Sequence, residues 1–253
     1  MNHLPDDLVW KVAAQQVELR SERLQAHLNL SRPADGLREI FFNGIPLPNQ
    51  KIMSICSPVS GDGSQRDAVI EDCYVRGNDL VVTYAPHAAE ATALQVYWRY
   101  HEPWDGSAAI EVILSSQTDS LHAQPTVSIC SRVGGDAAWW LASSEPPSFE
   151  SAPRSAGRWD GPQGEARLGA WLIRNTAAQC SYAEMVYPSD FRCGHIVKQA
   201  DWLLEYELMR ESLEKGVIRR ARVCALWISG DTPPASVAHW YHQWVDAPLP
   251  LTT

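Results

Sequence analysis

The sequence predicts an all-β fold: a large antiparallel two-sheet sandwich with one C-terminal helix. Three observations carry that expectation. Apolar and polar residues alternate with period two in roughly a dozen runs, turn-forming residues separate these runs at spacings of roughly 10–20 residues, and a single stretch near the C-terminus carries a helical stripe.

The alternation is clearest from Arg23 to Leu30, where Leu24, Ala26, Leu28 and Leu30 take one face and Gln25, His27 and Asn29 the other. Pro33, Ala34, Asp35 and Gly36 then form a turn before a second strand from Leu37 to Phe42, so the N-terminal segment is a hairpin or meander. Further strands are expected at Ile52 to Cys56, Ala68 to Val75, Leu80 to Ala85, Leu94 to His101, Ala109 to Gln117 and Thr126 to Val133. Between two of them Arg76-Gly77-Asn78-Asp79 supplies a hairpin turn, because Gly and Asn tolerate positive φ. More strands follow at Ala138 to Ala142, Ala166 to Arg174, Cys180 to Tyr187, Trp202 to Met209 and Val217 to Ile228. The segment 143–164 is rich in Ser, Pro and Gly and reads as one long loop. A helix is expected over 233–245, where Val237, Trp240, Tyr241, Trp244 and Val245 recur at i, i+3, i+4, i+7 and i+8, with Thr232 as N-cap and Pro233 in the first turn. The strand pattern resumes unchanged after the loop, so residues 1–253 are expected to form a single domain.

Composition narrows the function classes. Of 253 residues 45% are apolar and 20% charged, a globular mixture with a sizeable core, and 11 are Trp. A net charge of −9 repels phosphate backbones, so a nucleic-acid partner is not expected. No membrane span and no N-terminal leader are visible, and the chain reads as soluble and cytoplasmic. The 6 cysteines show no metal-binding spacing and are expected as reduced, buried thiols. Nucleotide loops, nucleophile elbows and H-E-x-x-H spacings are missing, and no cofactor or metal is expected.

Three constellations could carry chemistry. The run Glu211 to Gly230 holds Lys215, Arg219, Arg220 and Arg222, and Trp202 to Met209 precedes it, so the two read as a hairpin. In that pairing Glu205 and Glu207 face Arg220 and Arg222, either as a register-fixing ion ladder or as the lining of a ligand face. A second polar face comes from Gln95, Tyr97, Arg99 and His101, joined by Glu111 and Gln117 of the next strand. Aromatic rings beside amides and charges suit a sugar, although ordinary outward-facing strand residues give the same pattern. The third group, Tyr187, Asp190, Arg192 and His195, reads as a loop that a turn explains equally well.

The N-terminal meander from Val17 to Gly44, the many long strands and the late run from Trp202 to Val223 together resemble the galactose-mutarotase-like supersandwich of sugar epimerases and polysaccharide-degrading enzymes. The resemblance is one of layout and covers most of the chain. It implies a carbohydrate ligand on a concave sheet face, with Tyr97, Arg99, Arg220 and Arg222 as contacts. If the chain is an enzyme, it implies epimerase-like or polysaccharide-processing chemistry with His101 or His195 as acid and Glu205 or Glu207 as base. The family's histidine motifs are missing here, so no catalytic residue carries over from them. The alternative expectation is a non-enzymatic interaction or assembly protein in which Trp240 and Trp244 cover a sheet edge or a partner.

Overall fold

The computed structural model describes residues 9–57, 67–86, 92–101, 106–121, 123–144, 147–152, 157–160, 169–209 and 211–248. The first five strands form their own sheet in sequence order: β1 (Trp10–Ala13), β2 (Gln16–Arg20), β3 (Leu24–Asn29), β4 (Arg38–Phe42) and β5 (Ile45–Leu47). The pair β3–β4 is the expected hairpin. Strands β1, β2 and β5 escape the sequence reading because each spans only a few residues, too short for alternation to stand out. Between β3 and β4 lies a 3₁₀ turn at Pro33–Asp35, followed by Gly36 with φ of +59°. A Cβ on Gly36 would sit 2.4 Å from the Ile52 carbonyl oxygen and 2.8 Å from the Ser54 nitrogen, both backbone atoms that cannot step aside. Gly36→Ala is therefore expected to cost about 2 kcal/mol or more, from strain plus displaced backbone, measured by urea unfolding.

The remaining strands are β6 (Lys51–Cys56), β7 (Ile70–Arg76), β8 (Asp79–Tyr84), β9 (Thr92–His101), β10 (Ser107–Thr118), β11 (Val127–Val133) and β12 (Ala137–Ser144). They continue with β13 (Pro147–Ser151), β14 (Gly157–Asp160), β15 (Ala170–Asn175), β16 (Cys180–Val186), β17 (Cys193–Lys198), β18 (Trp202–Met209) and β19 (Ile218–Ser229). A nine-stranded sheet runs β13-β12-β15-β16-β19-β10-β9-β8-β7, and a five-stranded sheet runs β14-β17-β18-β11-β6. Every pairing is antiparallel.

Two sequence expectations change here. The segment 143–164 is not one loop, since β13 and β14 lie inside it, β13 extending the nine-stranded sheet and β14 the third sheet. Strands β18 and β19 do not form a hairpin. β18 pairs with β11 and β17, while β19 pairs with β10 and β16 in the other sheet, so the intervening residues carry the chain from one sheet to the other.

One face of the nine-stranded sheet takes both smaller sheets in a continuous core, to which Leu24 and Leu28, Ile110 and Val223, and Ile129 and Leu204 each contribute from a different sheet. Each such side chain contributes about 1.5–3 kcal/mol by leaving water. The opposite face, called outer below, is buried over half its width by the helix α1 (Pro234–Asp246), whose Val237, Ala238, Tyr241 and Trp244 pack on Leu141, Leu172, Met185 and Leu226. The helix starts one residue later than expected. Pro233 is its N-cap and makes no side-chain cap, while buried Thr232 donates its backbone N–H to Ser181 Oγ at 3.4 Å. Among the described residues no helix is long and apolar enough to cross a membrane.

Candidate functional site

The rest of the outer face belongs to β7, β8, β9, β10 and β19, and at its centre Val81, Tyr97 and Ile113 are buried against one another. Period two fixes which side chains reach it, because Ala108, Ile110, Val112 and Leu114 of β10 enter the sandwich core and their neighbours must point the other way. Register then sets the rows. Asp79, Arg99 and Glu111 lie side by side on β8, β9 and β10; Tyr97, Ile113 and Arg222 form the next row, and Gln95, Ser115 and Arg220 the one after. Tyr97, Arg99, His101, Arg220 and Arg222 thus share one face with Glu111 and Gln117.

At the end nearest α1 the chemistry centres on Glu111, which is only 2% exposed. Arg222 reaches its Oε1 through Nε at 2.7 Å and through the terminal nitrogen Nη2 at 2.6 Å, and Trp244 of the helix donates Nε1–H to the same oxygen at 3.1 Å. His101 Nε2 stands 3.3 Å from the other oxygen. Burial alone would push the Glu111 carboxyl up, but the hydrogen bond from His101 and the Arg222 guanidinium outweigh it and hold the carboxyl below its ordinary value. The Arg222 guanidinium lies 5.0 Å from the ring centres of both Tyr187 and Trp244. Arg222 is thereby an internal cation with its charge already matched, and Arg99 is clamped similarly by Asp79 at 2.7 and 2.8 Å. His101 differs: its side chain is 41% exposed and is backed by a carboxylate. In the tautomer protonated at Nε2 the ring donates to an ionised Glu111.

At the other end of the same face is a cavity of about 350 Å³ lined by Tyr74, Thr83, Gln95, Tyr97, Ser115 and Arg220, with Ala93, Gln117 and Ile218 at its margins. Gln95 donates to Thr83 Oγ1 at 3.0 Å, and the Tyr74 and Tyr97 side chains both line the cavity. Arg220 has no acidic partner within ion-pair distance among the described residues, so its guanidinium is an unspent charge at the cavity. His101 lies four positions beyond Tyr97 along β9, about 13 Å, so the cavity and the His101–Glu111 pair are two ends of one surface. Tyr74, Thr83 and Ser115 were not singled out in the sequence. Their signal was the Gly77-Asn78 turn, which sets the β7–β8 register that brings Tyr74 beside Val81.

The other candidates lie elsewhere. Glu205 and Glu207 project from the outward side of the third sheet, since Leu204, Tyr206 and Leu208 between them fill the core. They cannot oppose Arg220 and Arg222, which point outward from the nine-stranded sheet beyond that core. His195 is not in a loop: it sits in β17, exposed, directly opposite Glu205, with no hydrogen bond or ion pair between the two among the described residues. Of its expected neighbours, Asp190 is buried and accepts the Arg222 backbone N–H at 3.0 Å, and Arg192 pairs with Glu211 at 2.8 Å. Among the described residues no group of three or more His, Cys, Asp or Glu side chains could hold a metal ion.

Neither a family model nor a curated protein matches the sequence. Solved structures do match the fold. A candidate aldose 1-epimerase from Klebsiella pneumoniae superposes with a TM-score of 0.56 at 10% identity, covering 94% of this chain and 87% of that one. A TPR-domain containing protein from Parabacteroides distasonis gives 0.56 at 9% identity over 86% of this chain, which spans 47% of that protein. A variant of the heparan sulfate lyase HepC from Pedobacter heparinus gives 0.50 at 10% identity over 90% of this chain, which spans 38% of that enzyme. The chain therefore has the galactose-mutarotase-like sandwich fold that its layout resembles.

Proposed function

We propose that the chain is a carbohydrate-binding or carbohydrate-processing β-sandwich protein whose ligand lies in the cavity on the outer face of the nine-stranded sheet, beside β7 to β10 and β19. The observation that carries this reading is the cavity of about 350 Å³, where two tyrosine rings, the amides of Gln95 and Gln117, the hydroxyls of Thr83 and Ser115 and the unspent Arg220 converge. Ring faces suit the C–H surfaces of a sugar, and planar polar groups suit its hydroxyls. Two of the similar folds support it, being described as an epimerase and a lyase of carbohydrates; fold likeness alone does not assign the activity.

The contacts in this reading are Tyr97 and Arg220, while Arg99 and Arg222 hold the face in shape. Any proton transfer on this surface falls to His101, with Glu111 fixing its ring; Glu205, Glu207 and His195 belong to another surface. The helix aromatics that would have served an assembly role are occupied within the chain, since Trp244 is 9% exposed and packs on the sheet. A reducing, cytoplasmic setting accords with the six cysteines, all of them free.

Titration of neutral and uronic-acid-containing oligosaccharides, followed by NMR shifts of the backbone amides, tests the reading. Shifts should concentrate on β7 to β10 and β19, and Arg220→Ala or Gln95→Ala should weaken binding about tenfold or more, the loss of one to two polar contacts. Binding that is absent across the panel, or shifts confined to the third sheet, would overturn it.

A further inference from the structure

The third sheet turns a separate polar face to solvent. Cys56 ends β6 and Cys130 lies within β11, and in the register Cys56 opposes Ser128 while Cys130 opposes Ser54, so the two thiols are diagonal neighbours on one side of the sheet. Their sulfurs are 3.8 Å apart, and both residues are half-buried, open to a small oxidant yet screened from a large one. The two strands are also pliable at this point, with a register shift between Cys130 and Arg132 and a left-handed Met53 at φ of +54° in β6.

We propose that Cys56 and Cys130 form a redox-active thiol pair that a hydroperoxide converts into a cross-strand disulfide. The Cys56 thiolate attacks the terminal peroxide oxygen; the S–O bond forms, the O–O bond breaks, and the leaving alkoxide or hydroxide takes up a proton. The Cys130 sulfur then attacks the sulfenic sulfur, the S–S bond forms, and hydroxide leaves with the proton that Cys130 gives up. Two thiols are oxidised by two electrons in total, and with hydrogen peroxide one molecule is reduced to two waters. Joining the sulfurs requires an approach from 3.8 Å to about 2.05 Å, within the reach of side-chain rotation and a small strand shift.

The surroundings favour Cys56 as the attacking group. The hydrogen bond between the two thiols, aided by Lys51 on β6 and Ser128 on β11, brings the Cys56 thiol down to about 7, against its burial and the Glu205 carboxylate on β18. Cys130 is pushed the other way, by its bond to Cys56, by burial and by Glu205.

The test uses the reduced full-length protein, exposed to equimolar hydrogen peroxide at pH 7 and mapped as non-reduced peptides by mass spectrometry. The expected product is a Cys56–Cys130 crosslink with the loss of two hydrogens. Cys130→Ser should stop at a sulfenic acid on Cys56, trapped by dimedone, and Cys56→Ser should slow peroxide-driven thiol loss at this face by about tenfold or more. Far-UV circular dichroism establishes that each variant is folded, and the wild-type map stands without them. Peroxide that leaves both thiols intact, crosslinks formed through Cys73, Cys180, Cys193 or Cys224 instead, or dimedone found first on Cys130 would each overturn the proposal.

Discussion

Arg222→Ala is expected to lower the stability of the fold by about 3–5 kcal/mol, because it strands the Glu111 carboxylate 2% exposed under the C-terminal helix. Trp244 and His101 would remain as partners, but neither carries the matching fixed charge, and the packing of the guanidinium on the Tyr187 and Trp244 rings would be lost. The double variant Arg222→Met, Glu111→Gln should recover much of the loss, since removing both charges of a buried pair is far less costly than removing one. Acid unfolding provides a second readout. The Glu111 carboxyl is held below its ordinary value, so it contributes stability that is present above the unfolded value and lost as pH falls through the folded one. That acid-side loss should shrink in Arg222→Ala. A urea-unfolding loss below about 1 kcal/mol in Arg222→Ala would show that the network is dispensable.

Glu184→Gln is expected to act in the opposite direction, raising stability at pH 8 by about 3 kcal/mol. Glu184 is fully buried in β16, facing the space between the nine-stranded and third sheets, where the Tyr182 hydroxyl donates to it. Its Oε1 has no hydrogen-bond partner. Burial pushes this carboxyl up to about 7 from an ordinary 4.5, although hydrogen bonds from Ser131 and Tyr182 favour its charged form. Below pH 4.5 the group is neutral in both folded and unfolded chains and costs nothing. As pH rises from 4.5 to about 7 the unfolded chain ionises first, so stability falls, and the difference of about 2.5 pH units corresponds to about 3 kcal/mol. The amide variant removes that slope, so wild type and variant should converge near pH 4 and separate by pH 8. A variant less stable than wild type at pH 8 would sink this account.

The strands were legible because a half-wet antiparallel strand writes its two faces into alternate residues, as Leu24, Ala26 and Leu28 do. Pairing was not, because alternation says which side a residue faces and nothing about its neighbour. Trp202 to Met209 and Ile218 to Ser229 follow one another closely, and a hairpin matched Glu205 and Glu207 to the arginines. The longer strand also carried a contrary sign: from Ala221 to Ile228 every residue is buried, the mark of a strand at the middle of a covered sheet rather than of an exposed hairpin. β17 was hidden for a different reason, since Gly194 and the exposed His195 interrupt its apolar run. For the site, the face was readable from Gln95, Tyr97, Arg99 and His101, but its depth was not. That Arg222 lies beneath Trp244 while Arg220 stands in the open depends on where the helix comes to rest, and no local pattern specifies that.

The position of β19 also bears on how the molecule is made. It lies between β10 and β16, so β19 is the shared neighbour of two strand groups that precede it in sequence, with Ala109 opposite Leu226 and Glu184 opposite Ala225. During synthesis from the N-terminus, β7 to β10 and β12 to β16 must wait with unpaired backbone on their facing edges until residues 218–229 leave the ribosome. Joining strands more than a hundred residues apart is slow. Losing β19 would leave the nine-stranded sheet in two pieces, β7 to β10 on one side and β12, β13, β15 and β16 on the other.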